Sequence, residues 1–166
     1  MEGPPELVAF CERMYPRLLA VLTLQVGDRG VAEELTQETL ARVWQRWSRD
    51  DRLRAPEAWA YTVGLNLARS WLRRVVAERR ARRRFAQARV VENSADDAQA
   101  IAVRCALSTL PPRQRTALIL RYYLDQSVDD AANVMQCAPG TVKAATHQAL
   151  ASLRRNQHLF TTSERR

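Results

Sequence analysis

Apolar residues recur every three to four positions along most of the chain and nowhere alternate over a strand-length run, so the pattern predicts helices throughout. Over residues 1–27, Leu7, Phe10, Met14, Leu18, Val21 and Leu22 share one side of a helix. Pro16 predicts a break in it, because proline removes a backbone donor and its ring crowds the preceding turn. Gly27-Asp28-Arg29-Gly30 ends the element and turns the chain. The next helix, about Val31 to Trp47, turns Ala32, Leu35, Thr36, Thr39, Leu40, Val43 and Trp47 inward and Glu34, Gln37, Glu38, Ala41 and Gln45 outward. After a polar loop, 48–55, Pro56 opens a third helix running to about Arg84. Its core side carries Ala60, Gly64, Leu67, Ala68, Trp71 and Val75; the opposite side carries Trp59, Thr62, Asn66, Arg69, Ser70 and Arg73.

Periodicity then fades. Gln87 to Ala98 is polar and reads as a linker. A helix from about Asp97 to Ser108 presents Ile101, Cys105 and Leu107, and Leu110-Pro111-Pro112 starts another, Arg113 to Tyr123, with Ala117, Leu118, Leu120 and Tyr122 as core candidates. Ser127 to Arg155 reads as two helices joined by a tight turn. Ser127 suits an N-cap, with Asp130 three positions on. Val128, Ala131, Ala132 and Met135 form a small apolar side, and Pro139 suits the first turn of the second helix. That helix sorts Val142, Ala145, Thr146, Ala149, Leu150 and Leu153 onto one face and Lys143, Ala144, His147, Gln148 and Ala151 onto the other. This is the pattern of a helix-turn-helix, whose second helix enters a major groove; an ordinary pair of core helices has the same spacing. Residues 156–166 read as a loose polar tail. The fold class is therefore all-α: two small helical domains, 1–86 and 98–155, joined by a polar linker at 87–97.

Charge narrows the class of partner. The 166 residues carry a formal charge of +8, which favours a polyanion, usually nucleic acid, over a neutral one. All but Lys143 of the 26 basic side chains are Arg. Residues 69–84 hold eight Arg against the single Glu78. Against this background an outward face of Glu34, Gln37 and Glu38 is anomalous. Carboxylates near a helix N-terminus suit the dipole, but an acidic and amide stripe in so basic a chain fits a protein partner. The strip on the third helix is donor-rich with one aromatic ring, suited to phosphates, base edges and a stacked unpaired base; Trp59 would equally serve as a peripheral core residue. Cys11, Cys105 and Cys137 are odd in number and far apart, and no metal-ligand spacing involves His147 or His158. No cofactor is expected. No Gly-rich phosphate loop or nucleophile–base set points to an enzyme. No apolar run reaches membrane-span length and no signal-peptide pattern opens the chain, so the cytoplasm is the expected compartment.

The order of these parts resembles the two-domain sigma factors of bacterial RNA polymerase, the extracytoplasmic-function group, over about residues 5–155. Tyr15-Pro16-Arg17-Leu18-Leu19 followed by Ala32-Glu33-Glu34-Leu35-Thr36-Gln37-Glu38-Thr39 is similar to that family's acidic-Leu-x-Gln-Glu helix. Ala58-Trp59-Ala60-Tyr61 with Asn66-Leu67-Ala68 resembles its promoter −10 helix. Leu110-Pro111-Pro112-Arg113-Gln114-Arg115 and Gly140-Thr141-Val142-Lys143 resemble its −35-binding domain. The resemblance implies an initiation factor with no catalytic site. Glu34, Gln37 and Glu38 would dock on the polymerase β′ clamp; Trp59, Thr62, Asn66, Arg69 and Arg73 would hold −10 DNA; Lys143, Ala144, His147 and Gln148 would read the −35 duplex. It further implies the β flap as a contact, a linker threading the polymerase, and room for an anti-sigma partner. Family members have Gly where this chain has Gln136 and a Ser-type cap where it has Ala138. Gln accepts positive φ poorly and Ala cannot cap, which predicts a less stable or reoriented helix-turn-helix. Two other readings fit parts of the chain: a helix-turn-helix regulator acting without polymerase, which has no need of the acidic face or the Trp59/Asn66 strip, and a sigma-like protein-interaction module.

Overall fold

The computed structural model describes residues 4–47, 55–82 and 98–163; the expected linker and most of the 48–55 loop lie outside them. The described elements are α1 (Pro5–Val26), α2 (Arg29–Trp47), α3 (Pro56–Arg82), α4 (Ala98–Ser108), α5 (Pro112–Leu118), a π-helical turn (Ile119–Tyr123), α6 (Val128–Met135) and α7 (Pro139–Ser163). The chain divides into two compact units, one up to Asp96 and one from Asp97.

In the first unit α1, α2 and α3 pack against one another. Helix α1 buries Leu7, Phe10, Met14, Leu18, Val21, Leu22, Val26 and the polar Gln25. It runs through Pro16 without a break, contrary to the expectation. Pro16 is exposed, so its ring displaces no core side chain. Gly27 takes φ +82° and its N–H closes on the Thr23 carbonyl at 2.8 Å. Asp28 then caps α2, its Oδ1 accepting from the Val31 N–H at 3.0 Å. Thr36 and Thr39 lie in the core with their hydroxyls donated to the carbonyls one turn back, each at 2.7 Å, so neither leaves an unpaired group in the interior. Helix α3 buries Ala60, Gly64 and Ala68 as expected, and also Tyr61 and Leu65, which rotates its core side away from Leu67. At Gly64 α3 lies close to both α1 and α2. A Cβ there would meet Thr39 Oγ1 at 3.2 Å and the Leu22 methyls at 3.5 Å. Phe10 and Trp47 close one end, ring centroids 5.4 Å apart.

The second unit buries Leu107, Leu110, Ala117, Leu118, Ile119, Leu120, Ala131, Ala132, Val134, Val142, Ala145 and Ala149. Of the residues that the sequence singles out on α4, Ile101 and Cys105 are exposed and only Leu107 is buried. Tyr122 is 66% exposed instead of core. The cause is the widened turn after Leu118: the Leu124 N–H bonds to the Ile119 carbonyl five residues back, at 3.0 Å. Ile119 is buried in phase with Arg115 and Leu118, and the extra residue in the turn that starts there shifts the 3.6-residue phase beyond it, so Tyr122 comes out. Arg115 is 6% exposed, its Nη2 donating to the carbonyls of Ser108 (3.0 Å) and Leu110 (3.1 Å) and tying the α4–α5 turn to α5. Burial pulls its guanidinium below the ordinary arginine value. The expected loose tail is helical as far as Ser163, as part of α7.

Candidate polymerase and nucleic-acid interfaces

On α2 the residues Ala32, Thr36, Thr39 and Val43 are buried, while Glu34, Gln37, Glu38, Ala41 and Gln45 are all exposed. Helical phase alone produces this split. The acidic stripe is not bare carboxylate: Arg42 Nε donates to Glu38 Oε1 at 2.8 Å, and Arg29 Nε to Glu33 Oε1 at 3.2 Å. Such solvent-exposed i,i+4 pairs are weak and readily exchanged for another partner.

The strip on α3 lies diametrically opposite its buried residues. Arg69 and Arg73 are exposed; Trp59, Thr62, Asn66 and Ser70 are half-buried. Several of its members are held within the helix. Thr62 Oγ1 donates to the Ala58 carbonyl at 2.9 Å, Arg69 Nη2 to Asn66 Oδ1 at 2.9 Å, and Arg73 Nη2 to Ser70 Oγ at 3.3 Å. The N-terminal end of α3 is tied to α1 by Arg13 and Arg17, both of which reach the Glu57 carboxylate, at 3.4 and 3.5 Å.

In the second unit, the Ser127 hydroxyl accepts from the Asp130 N–H at 3.0 Å and donates to Asp130 Oδ2 at 2.6 Å, starting α6 as its sequence predicts. Ala131 and Ala132 are buried together with Val134, which the periodicity did not assign. The turn that follows retains its helix-turn-helix geometry at the expense of one backbone conformation. Gln136 sits at φ 51°, ψ 52°, in the left-handed region that suits glycine, and the Cys137 N–H bonds to the Ala132 carbonyl at 3.0 Å. Ala138 offers only its carbonyl to the start of α7, accepting from the Thr141 N–H at 2.9 Å. Along α7, Val142, Ala145 and Ala149 are buried, and Lys143, Ala144, His147 and Gln148 form an exposed face. Sequence reasoning missed one further member of this region: Gln114 of α5 donates from Nε2 to Gln148 Oε1 at 3.2 Å. Among the described residues no cluster of His, Cys, Asp and Glu could hold a metal ion, and no helix is long and apolar enough to cross a membrane.

Comparison with known proteins assigns both units. Residues 10–78 match the family described as sigma-70 region 2, and residues 100–153 match sigma-70, region 4. The chain is 30% identical over 152 residues to an RNA polymerase sigma-E factor of Streptomyces antibioticus, covering 90% of this chain and 84% of that one. It is 31% identical over 140 residues to the ECF RNA polymerase sigma factor SigL of Mycobacterium tuberculosis, covering 77% and 75%. Among solved structures, the sigma factor RpoE of Bartonella quintana, in complex with the anti-sigma factor NepR, aligns with a TM-score of 0.72 at 26% identity, covering 89% of this chain and 95% of that one. A regulator needing only its C-terminal helix-turn-helix leaves the match over residues 10–78 without a reason. The chain belongs to the extracytoplasmic-function group of RNA polymerase sigma factors and is a promoter-specific transcription initiation factor, not an enzyme.

Proposed function

We propose that the three exposed faces divide the work of initiation. Glu34, Gln37 and Glu38 on α2 dock on the β′ clamp of core polymerase. Trp59, Thr62, Asn66, Arg69 and Arg73 on α3 capture unpaired −10 bases and their phosphates. Lys143, Ala144, His147 and Gln148 on α7 read the −35 duplex, with the β flap as the polymerase contact of that unit. The observation supporting this assignment is that the α2 and α7 sets are exposed and that the α3 strip, with Arg69 and Arg73 exposed and Trp59, Thr62 and Asn66 half-buried, lies opposite the buried side of its helix. Opening a promoter costs unpairing energy; stacking each captured base on an aromatic ring returns about 1–3 kcal/mol. Bound in this way the chain works in the cytoplasm beside the polymerase. The structural relative solved with an anti-sigma factor supports an inhibitory protein as a third kind of partner. The domain bounds follow the same reading: 1–86 for polymerase and −10 DNA, 87–97 as linker, 98–155 for −35 DNA.

Run-off transcription tests the proposal. Core polymerase supplemented with this chain is offered genomic promoter fragments, and discrete start sites that vanish without the chain are expected. Start sites that survive replacement of all three exposed faces by alanine, in a chain that still melts like wild type, would remove the assignment.

A further inference from the structure

We infer that Gln114 is a specificity-determining positioning residue: without touching DNA, it fixes the orientation in which the Gln148 amide meets a base. The inference rests on the reading of Gln148 as a −35 base contact. Gln148 is exposed on α7, and its own helix gives it little guidance. The residues one turn away are Ala144, Ala145, Ala151 and Ser152, and the Ser152 hydroxyl already accepts from Arg155 Nη2 at 3.1 Å. What holds the Gln148 amide comes from α5, thirty-four residues earlier: the 3.2 Å bond from Gln114 Nε2 to Gln148 Oε1.

Gln114 has no local use that would explain it. It is the third residue of α5, the position from which glutamine usually reaches back to the N-cap N–H. The N-cap here is Pro111, which has no N–H and makes no side-chain cap bond. The other end of the Gln114 amide is buried, and its Oε1 has no hydrogen-bond partner. A stability role would not favour a side chain that leaves an acceptor unmet in order to make one solvent-exposed neutral bond. A positioning role accounts for both facts, because burial of one end stops the amide from turning while the other end grips Gln148.

The chemistry of that grip decides what Gln148 reads. With Oε1 occupied by Gln114, Gln148 presents its Nε2 hydrogens toward the groove. Those suit base edges that offer acceptors, guanine O6/N7, thymine O4 or adenine N7, and oppose the cytosine N4 donor.

The test uses holoenzyme reconstituted from the full chain and core polymerase, with promoter templates randomised across the −35 element and base preference read at each position from the transcripts. Gln148→Ala identifies the position that Gln148 contacts by flattening it. Gln114→Leu removes the grip and is expected to flatten the same position, by about threefold to tenfold in relative preference. Gln114→Glu is isosteric but can only accept. It turns the Gln148 amide over and is expected to shift that position toward cytosine, a reversal that loosened packing does not produce. In the Gln148→Ala background neither Gln114 change should alter preference further. Unchanged preference in both Gln114 variants at a position that Gln148→Ala flattens overturns the inference, as does a uniform loss at all positions with a lowered melting temperature. If Gln148→Ala flattens no position, the reading of Gln148 itself fails, and the inference falls with it.

Discussion

Arg69 donates from Nη2 to Oδ1 of Asn66, one turn back on the outer side of α3, at 2.9 Å. The bond engages the carbonyl oxygen of the Asn66 amide, whose NH2 group is the end that can donate to a base. Asn66 is thereby suited to an acceptor on an unpaired base, and Trp59, about two helical turns before it on the same side of α3, to stacking. Asn66→Ala and Trp59→Ala should both impair promoter opening more than duplex binding. A template carrying a pre-melted −10 bubble separates them: it should largely rescue Trp59→Ala, whose ring helps open the duplex, and rescue Asn66→Ala less, because a base contact is still missing. Equal Trp59→Ala defects on melted and duplex templates count against a role in opening.

The outward face of α2 gives the second prediction. Gln37→Ala/Glu38→Ala removes one exposed i,i+4 pair with Arg42 and touches no buried side chain. Stability should change by less than about 0.5 kcal/mol. Loss of central groups from a protein interface is a different matter, with about 2 kcal/mol, or roughly thirtyfold in affinity, expected. A pull-down on core polymerase beside a thermal melt checks both. A double mutant that melts like wild type and binds polymerase at full strength excludes this face.

Gln136 holds a left-handed backbone conformation that costs an L-residue about 1–2 kcal/mol. Gln136→Gly should therefore stabilise the second unit by about 1 kcal/mol and raise its melting midpoint by about 4–8 °C. Ala138→Ser adds the missing hydroxyl at the start of α7 and should contribute about 1 kcal/mol more. No rise in either melt would mean that the turn is relaxed as it stands.

Lys143 and His147 should separate in a binding assay. His147 sits in the middle of the exposed α7 face, so His147→Ala should change base preference by about 1–3 kcal/mol. Lys143 stands at the edge nearer the turn. Lys143→Ala should weaken all sequences alike and reduce the slope of log affinity against log salt by about 1. Wild-type selectivity and salt slope in both mutants would exclude this face as the reader.

Arg115 is held by two carbonyls in the interior of the second unit. Arg115→Ala strands both of them and should destabilise that unit by about 2–3 kcal/mol in a denaturant titration. Wild-type stability would show that the carbonyls find water instead.

How far the sequence carried these conclusions depended on the range of the interaction. The α1 core set was legible from Leu7 to Leu22, over which one helical phase persists, and the buried Gln25 and Val26 beyond it were not. The exposed faces of α2, α3 and α7 followed from the same phase. Tyr122 was misplaced because the π-turn changes the residues per turn midway, and no residue type announces that change. Arg115 was legible only as part of a family motif, because a charged residue carries no mark of burial and its partners are carbonyls. Gln114 and Gln148 are ordinary polar residues until the packing of α5 on α7 brings them together. The helical end of α7 went unforeseen because residues 156–166 lack the apolar stripe that signals a helix.

Gly64 is the residue that lets α3 settle against Thr39 of α2 and Leu22 of α1, with room for a hydrogen and little else. The absence of a side chain there acts as a caliper setting. The outward side of α2 and the outward side of α3 belong to helices that pack directly on each other, at a separation set by how deeply they nest. On the proposed division of faces, a polymerase that grips one surface has already determined where the other lies. The melted strand is then met at a fixed offset from the clamp, and start-site choice becomes a matter of solid geometry as much as of base chemistry.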